Sequence, residues 1–302
     1  MIEPEVLNAY RSVFAQTFSR NGTTLYIGDN LGKITIYNVN RWAKTQEFQT
    51  QLESIQLIVE YKNILIAGGI GGLVTLLVSE DGTISKGKRI TSESYNTALV
   101  LEEHDVLIGG GPRGILYTID LNVFHIIKED TDSHKDSIQC SSLSEERGMF
   151  CTASEDGTVH IWDMKSQEII RTFLPFEKEE LNRPERGRFI SCCSMIGDWL
   201  VCGGGPRVGL WHVRSGELAN ILDIEQDTPL SMFSSPERIF IGGSRSVVYQ
   251  FQRNGSKIST VDASSQFVYS IQKSCKGHML VSGSTRTIDI YKNNYKAQEL
   301  SV

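Results

Sequence analysis

The chain alternates short apolar runs with small polar turns along almost its whole length. One unit recurs: an apolar strand, a turn rich in Gly, Ser or Asp, then an alternating strand that closes on an aromatic or large apolar residue. Copies occupy residues 25–37, 65–77, 107–119, 150–162, 200–211, 240–251 and 280–291. Period-two alternation marks strands with one face toward a core, and the small residues between them supply tight turns. The closing residues are Tyr37, Leu77, Ile119, Trp162, Trp211, Phe251 and Tyr291, spaced 40, 42, 43, 49, 40 and 40 apart.

A repeat of that length is the WD40 unit, which builds one four-stranded blade. Seven copies predict an all-β fold, a seven-bladed WD40-type β-propeller, with residues 1–302 as a single domain. No Pro/Ser-rich linker or charge block interrupts the period. The longest interval contains residues 174–188, which read as an elongated loop between the fourth and fifth blades. Helix content is expected to be slight. Whether the last blade uses four strands of its own or borrows one from the N-terminus stays open.

The fourth unit, SHKDSIQCSSLSEERGMFCTASEDGTVHIWDM (133–164), is the most regular. His134, Ser154, Asp156 and Trp162 stand where WD40 repeats keep a buried hydrogen-bonded tetrad. A buried indole, imidazole and hydroxyl each need a partner, and linking them satisfies all three. The other units mostly lack these residues and rely on Gly-rich turns.

Composition narrows the function classes. Hydrophobic residues are 40% and charged residues 22%, and 27 Gly against 7 Pro suit a protein of many tight turns. The net charge of -6 argues against a surface built to neutralise phosphates, so RNA is expected only indirectly, through other proteins. The six cysteines, Cys140, Cys151, Cys192, Cys193, Cys202 and Cys275, form no Cys-x-x-Cys pair and point to a reducing compartment. Strand alternation would send one of Cys192 and Cys193 to the core and the other outward. Residues 1–10 are too polar for a signal peptide, and no apolar run reaches the ~20 residues of a membrane helix, so no membrane is expected.

Catalytic motifs do not survive inspection. Gly109 to Gly114 satisfies G-x-G-x-x-G, but a dinucleotide site needs a helix after it, and Ile115 to Ile119 reads as a strand. His104, His125, His134, His160, His212 and His278 show no metal-ligand spacing. The pairs Glu145-Glu146 and Glu179-Glu180 lie in polar turns and read as solvated charges. The chain is read as no enzyme, with no cofactor, metal or small-molecule substrate.

Five arginines stand out: Arg113 and Arg207 in two Gly-Gly-Gly-Pro-Arg turns, and Arg183, Arg186 and Arg188 in the long loop. In a meandering blade, these turns and loops open at the same end. Arginine is enriched at interface hot spots, and Phe176 offers an apolar anchor among the charges. The expectation is a docking patch for an acidic or helical partner. The plainer reading is solvated arginines partly neutralised by Glu177, Glu179, Glu180 and Glu185, with Phe176 tucked into the core.

The string NRPERGRFISCCSMIGDWLVCGGGP (182–206), followed by LWHVR (210–214), resembles the THO complex subunit 6 family. So do FAQTFS (14–19), GDNLGKITI (28–36) and the ending YKAQELSV (295–302). The similarity spans nearly the whole chain. It implies a WD40-repeat subunit of the nuclear THO/transcription-export (TREX) complex, acting in mRNA processing, packaging and export. The resemblance also implies contact with other THO subunits, notably the coiled-coil subunits 5 and 7, and no catalytic residues. The short N-terminus leaves little room for a regulatory tail. The rival reading is a substrate receptor of a cullin-type ubiquitin ligase, which carries Trp-Asp-x-Arg. Here Trp162-Asp-Met-Lys165 and Trp211-His-Val-Arg214 each depart from that motif at one position.

Overall fold

Each repeat folds as the central hairpin of a four-stranded antiparallel sheet. The structure is a computed structural model that describes residues 10–274, 276–292 and 295–302. Cys275 and residues 1–9 of the N-terminal stretch lie outside the described residues.

The first sheet is β1 (Val13–Phe18), β2 (Thr24–Asp29), β3 (Lys33–Asn38) and β4 (Ala43–Gln49). The second is β5 (Ser54–Tyr61), β6 (Ile64–Ile70), β7 (Gly72–Val78) and β8 (Ile84–Thr91). The third is β9 (Thr97–Leu101), β10 (Val106–Gly110), β11 (Leu116–Asp120) and β12 (His125–Asp130). The fourth is β13 (Ile138–Ser144), β14 (Met149–Ser154), β15 (Val159–Asp163) and β16 (Ile169–Phe173). The fifth is β17 (Ile190–Ile196), β18 (Trp199–Gly204), β19 (Val208–His212) and β20 (Glu217–Leu222). The sixth is β21 (Pro229–Ser234), β22 (Arg238–Gly243), β23 (Val247–Gln252) and β24 (Lys257–Asp262). The seventh is β25 (Val268–Lys273), β26 (Met279–Gly283), β27 (Thr287–Lys292) and β28 (Tyr295–Ser301). In every sheet the strands are hydrogen-bonded in chain order, the meander of a propeller blade. These are the seven blades of a β-propeller, and the helical segments among the described residues are single turns of 3-10 helix.

Burial follows strand position. The second strands are almost wholly buried, whereas fourth strands such as β4 and β12 carry mostly exposed charged and polar residues. An inner strand has a neighbouring sheet on each face, so it reads as a continuous apolar run. An outer strand meets water and alternates.

The sheets fall into two compact units, Met1–Tyr95 with Asp262–Val302, and Asn96–Val261. In the first unit, β1 packs between β25 and β5. Val13, Leu25, Ile27 and Tyr37 of the first sheet interlock with Leu280, Ile288, Ile290 and Leu300 of the seventh. The seventh sheet draws all four strands from the C-terminal segment, which answers the question the sequence left open. The Tyr37 hydroxyl donates to the Ser301 carbonyl at 2.5 Å and ties the two sheets edge to edge.

In the second unit, β17 packs against β13 and β14 on one side and β21 on the other. Cys192 and Cys193 are therefore both buried, 1% and 2% exposed, not one inward and one outward. Period-two alternation assumes a wet face, and an inner strand has none. The segment Gly109 to Gly114 runs from the last two residues of β10 into the turn before β11, so a strand and not a helix follows it. A Cβ on Gly110 would come within 2.7 Å of the Ile138 side chain in the next sheet.

Leu300→Ala removes a buried side chain where the seventh sheet meets the first. It is expected to cost about 2–4 kcal/mol by urea or thermal unfolding. A loss under about 1 kcal/mol would mean this contact is looser than described.

Candidate functional site

A buried polar network pins one end of the fourth sheet. His134 lies in the connection from β12 to β13, and Asp156 lies in the turn between β14 and β15. His134 Nδ1 is 3.2 Å from Asp156 Oδ2, and its Nε2 is 2.7 Å from Thr152 Oγ1. Trp162 Nε1 donates to the same Thr152 hydroxyl at 2.9 Å. Asp156 also accepts the Lys135 and Thr158 amides at 2.9 and 2.8 Å and the Thr158 hydroxyl at 2.7 Å. Burial would raise the Asp156 pKa, but bonds from His134, Thr158 and Lys135 hold it well below the usual carboxylate range.

The structure corrects one member of the expected tetrad. The hydroxyl that joins His134 to Trp162 is Thr152, not Ser154. Ser154 is also buried and points to the same face of β14, but its Oγ donates to the Asp136 carbonyl at 3.0 Å and accepts the Asp156 amide at 3.1 Å. Residues two apart share a strand face, so spacing alone could not separate them. In the fifth sheet, Cys202 takes the place of Thr152, opposite Gly209 as Thr152 is opposite His160. There the Trp211 N–H faces a thiol, a weak acceptor.

The meander places the turns β10–β11, β14–β15 and β18–β19 at the same end of their sheets as the connections that enter each sheet. The loop between β16 and β17 runs along this end. Pro175 and Leu181 are its buried plugs, and Leu181 joins the core with Phe173 and Trp211. Phe176 is half-buried, with its ring edge close over Gly157 and the Arg188 guanidinium 6.0 Å from its centre. It is therefore neither a free anchor nor a core residue.

The five arginines separate into different kinds. Arg183 is 7% exposed. Its Nε donates to the Gly205 carbonyl at 2.8 Å, and Nη2 to those of Gly204 and Pro206 at 3.1 and 3.3 Å. It fastens the loop to the Gly-Gly-Gly-Pro turn and cannot meet a partner, which corrects its place in the expected patch. Burial, then the nearby Arg186 and Arg207 cations, lower its pKa. Arg186 is half-exposed and bonds Thr228 Oγ1 at 3.1 Å and Gln226 Oε1 at 3.3 Å. Arg188 and Arg207 are exposed. The Arg207 amide donates to the Leu181 carbonyl at 2.8 Å, which fixes its backbone. Arg113 is exposed but belongs to the third sheet, where its Nη2 donates to the Tyr117 hydroxyl at 2.9 Å. The structure thus brings Arg183, Arg186 and Arg207 together beside Arg188, with Arg113 on a separate turn.

A WD domain, G-beta repeat model matches residues 127–163, which run from the outer strand of the third sheet through β15 and include the whole polar network. The chain is 26% identical to THO complex subunit 6 of Homo sapiens, over 97% of this chain and 93% of that protein. It is also 26% identical to the THO complex subunit 6 homolog of Danio rerio, over 97% and 98%. Among solved structures, the computationally designed Ika8 protein superposes with a TM-score of 0.71 at 12% identity, covering 97% of this chain and 88% of that one. That likeness speaks to fold alone.

Two expectations follow from the network. Thr152→Val keeps the shape but orphans both a histidine nitrogen and an indole N–H. It is expected to cost about 2 kcal/mol or more, and Ser154→Ala about 1 kcal/mol, by chemical denaturation. The reverse order would restore Ser154 as the linking hydroxyl. The second concerns pH. Burial, then the adjacent His134 ring, lower the His160 pKa from 6.5 to about 4. The fold favours neutral His160, so its stabilisation is present above the unfolded value and fades as pH falls from about 6.5 toward 4. His160→Gln is expected to flatten the fall in melting temperature over that window. An unchanged slope would show that His160 does not titrate with unfolding.

Proposed function

We propose that the chain, which is similar over nearly its whole length to THO complex subunit 6 proteins, is a member of that family and a non-catalytic scaffold within a nuclear THO/TREX assembly. In this reading it acts in mRNA processing, packaging and export by holding other THO subunits, the coiled-coil subunits 5 and 7 first among them. It meets RNA only through the complex. The observation that carries the proposal is the collinear similarity to curated THO complex subunit 6 proteins, over nearly the full length of both chains.

The blade geometry supports a docking role. Loops held by a rigid sheet scaffold are where binding residues concentrate. At the loop-bearing end of the second unit, the Arg188 guanidinium lies over the half-buried Phe176, and Arg186 and Arg207 stand on the same loop and on the turn that Arg183 fastens to it. A small apolar contact inside a cationic rim suits an acidic or helical partner. Arg183 contributes by fixing the loop rather than by touching the partner.

Charge reversal separates the two roles. Arg186→Glu, Arg188→Glu and Arg207→Glu together are expected to leave melting temperature within a few degrees, since surface changes cost about 0.5 kcal/mol or less. Co-purification of THO subunits from nuclear extract should weaken, most visibly as salt is raised. Undiminished recovery at wild-type salt resistance would remove this face from the interface, and failure of wild-type protein to recover any THO subunit would sink the proposal itself. Arg183→Glu should instead destabilise the fold by about 3 kcal/mol or more, because it sets a carboxylate among three carbonyl oxygens.

A further inference from the structure

The first unit holds a cavity of about 150 Å³ between the outer strands of its first and second sheets. Its apolar walls are Phe48 of β4 and Val74 and Leu76 of β7. Side-chain to backbone hydrogen bonds fix the strands near it. The Gln46 side-chain amide donates to the Ile84 carbonyl at 2.9 Å and accepts the Ile84 amide at 2.8 Å. Arg89 donates to the Gly71 carbonyl at 2.5 Å and to the Gln51 carbonyl at 3.0 Å.

The mouth of the cavity is shaped by a β-bulge. The register passes from Val74 opposite Arg89 to Leu76 opposite Lys86, so two residues, Gly87 and Lys88, face Thr75. The buried Thr75 hydroxyl completes the bulge. It accepts the Lys88 amide at 2.8 Å and donates to the Lys88 carbonyl at 3.2 Å. Glycine is required at the turn of the bulge, because a Cβ on Gly87 would lie 2.4 Å from the Thr75 carbonyl oxygen. Bulges of this kind bend an edge strand and re-aim its side chains. Here they leave Lys86, Lys88 and Arg89 exposed around the opening. Among the described residues, the lining carries these three cations and no carboxylate, in a chain whose net charge is -6.

We propose that this cavity is a second docking site, which takes one apolar side chain of a partner peptide whose flanking residues are acidic. A cavity of about 150 Å³ holds a benzene-sized guest, which is the size of one Phe or Leu side chain. The cationic rim supplies charge complementarity to carboxylates on either side of that anchor. A nucleic-acid strand fits less well. Phe48 is half-buried, and the buried hydroxyls of the lining, Thr50 and Thr75, each already donate and accept a backbone hydrogen bond. This site is independent of the arginine face in the other unit, and its test needs no THO component.

The test uses the purified full chain and fluorescein-labelled peptides of nine residues. The probe carries a central Phe or Leu between runs of alternating Asp and Glu. Saturable binding is expected, with chemical-shift changes at the Val74 and Leu76 methyl groups. A central Ser in place of the apolar residue, or Lys flanks in place of acidic ones, should each weaken binding about tenfold or more. The Lys86→Glu, Lys88→Glu double variant should do the same while its melting temperature stays that of the wild type. The proposal is overturned if neither acidic probe binds, if the Ser-centred peptide binds as well, or if the double variant binds undiminished. It is also overturned if a labelled uridine oligonucleotide binds this site more tightly than the peptides. Should the double variant fold poorly, Lys88→Gln alone, whose backbone bonds to Thr75 are retained, gives the same reading.

Discussion

The closeness of neighbouring sheets governs most of what this chain does with its residues. Where the second strand of one sheet passes the first strand of the next, there is no room for a side chain. A Cβ on Gly28 would meet the Ile55 side chain at 2.4 Å, and one on Gly203 would meet Pro229 at 3.2 Å. The pleated faces therefore interlock at native core density, and the glycines record where backbone replaces side chain. The same closeness buries both faces of the inner strands and leaves only outer strands and end loops for water or partners.

One position further along, the first and fourth sheets carry a polar residue where the fifth, sixth and seventh carry glycine, and each polar residue is hydrogen-bonded. The position that pairs with the start of the first strand is Gly204, Gly243 and Gly283 in the fifth, sixth and seventh sheets, but Asp29 in the first and Ser154 in the fourth. Asp29 is fully buried and pairs with the buried Arg11, which also reaches Thr35 Oγ1 at 3.3 Å. Ser154 bonds the Asp136 carbonyl. A buried polar group without a partner costs about 1–3 kcal/mol, so such positions must be satisfied or left to glycine. The His134–Thr152–Trp162 chain extends the same logic outward, tying an end loop to the sheet through its core.

The strands were legible because alternation and turn chemistry are local. Each central hairpin, such as β14–β15 around Glu155 to Thr158, announces itself within about a dozen residues. The side-chain partners were less legible, because they depend on direction. Thr152 and Ser154 share a face, and only the geometry of Trp162 distinguishes them. Cys192 and Cys193 looked like an in-and-out pair because the sequence does not state that β17 has a neighbour on each side. The basic cavity was hidden for a further reason. SKGKRI reads as a polar edge, and only the two-against-one register opposite Thr75 turns it into a rim.

Arginine shows why charge patterns in a sequence overstate a docking surface. In the sequence Arg11, Arg89 and Arg183 look like any other arginine, yet their donors already serve Asp29, Gly71 and Gln51, and Gly204 to Pro206. A guanidinium committed to fixed carbonyls has lost the fork that would grip a partner's carboxylate. Its remaining effect is to hold a loop or a cavity wall in place. Side chains such as Lys86, Lys88, Arg188 and Arg207 are exposed on backbone that other residues have already fixed. Their charge can be given to a partner with little ordering cost to the scaffold, which is the condition for affinity without loss of fold. The committed cations set the geometry, and the uncommitted ones are the groups available to the docking proposed above.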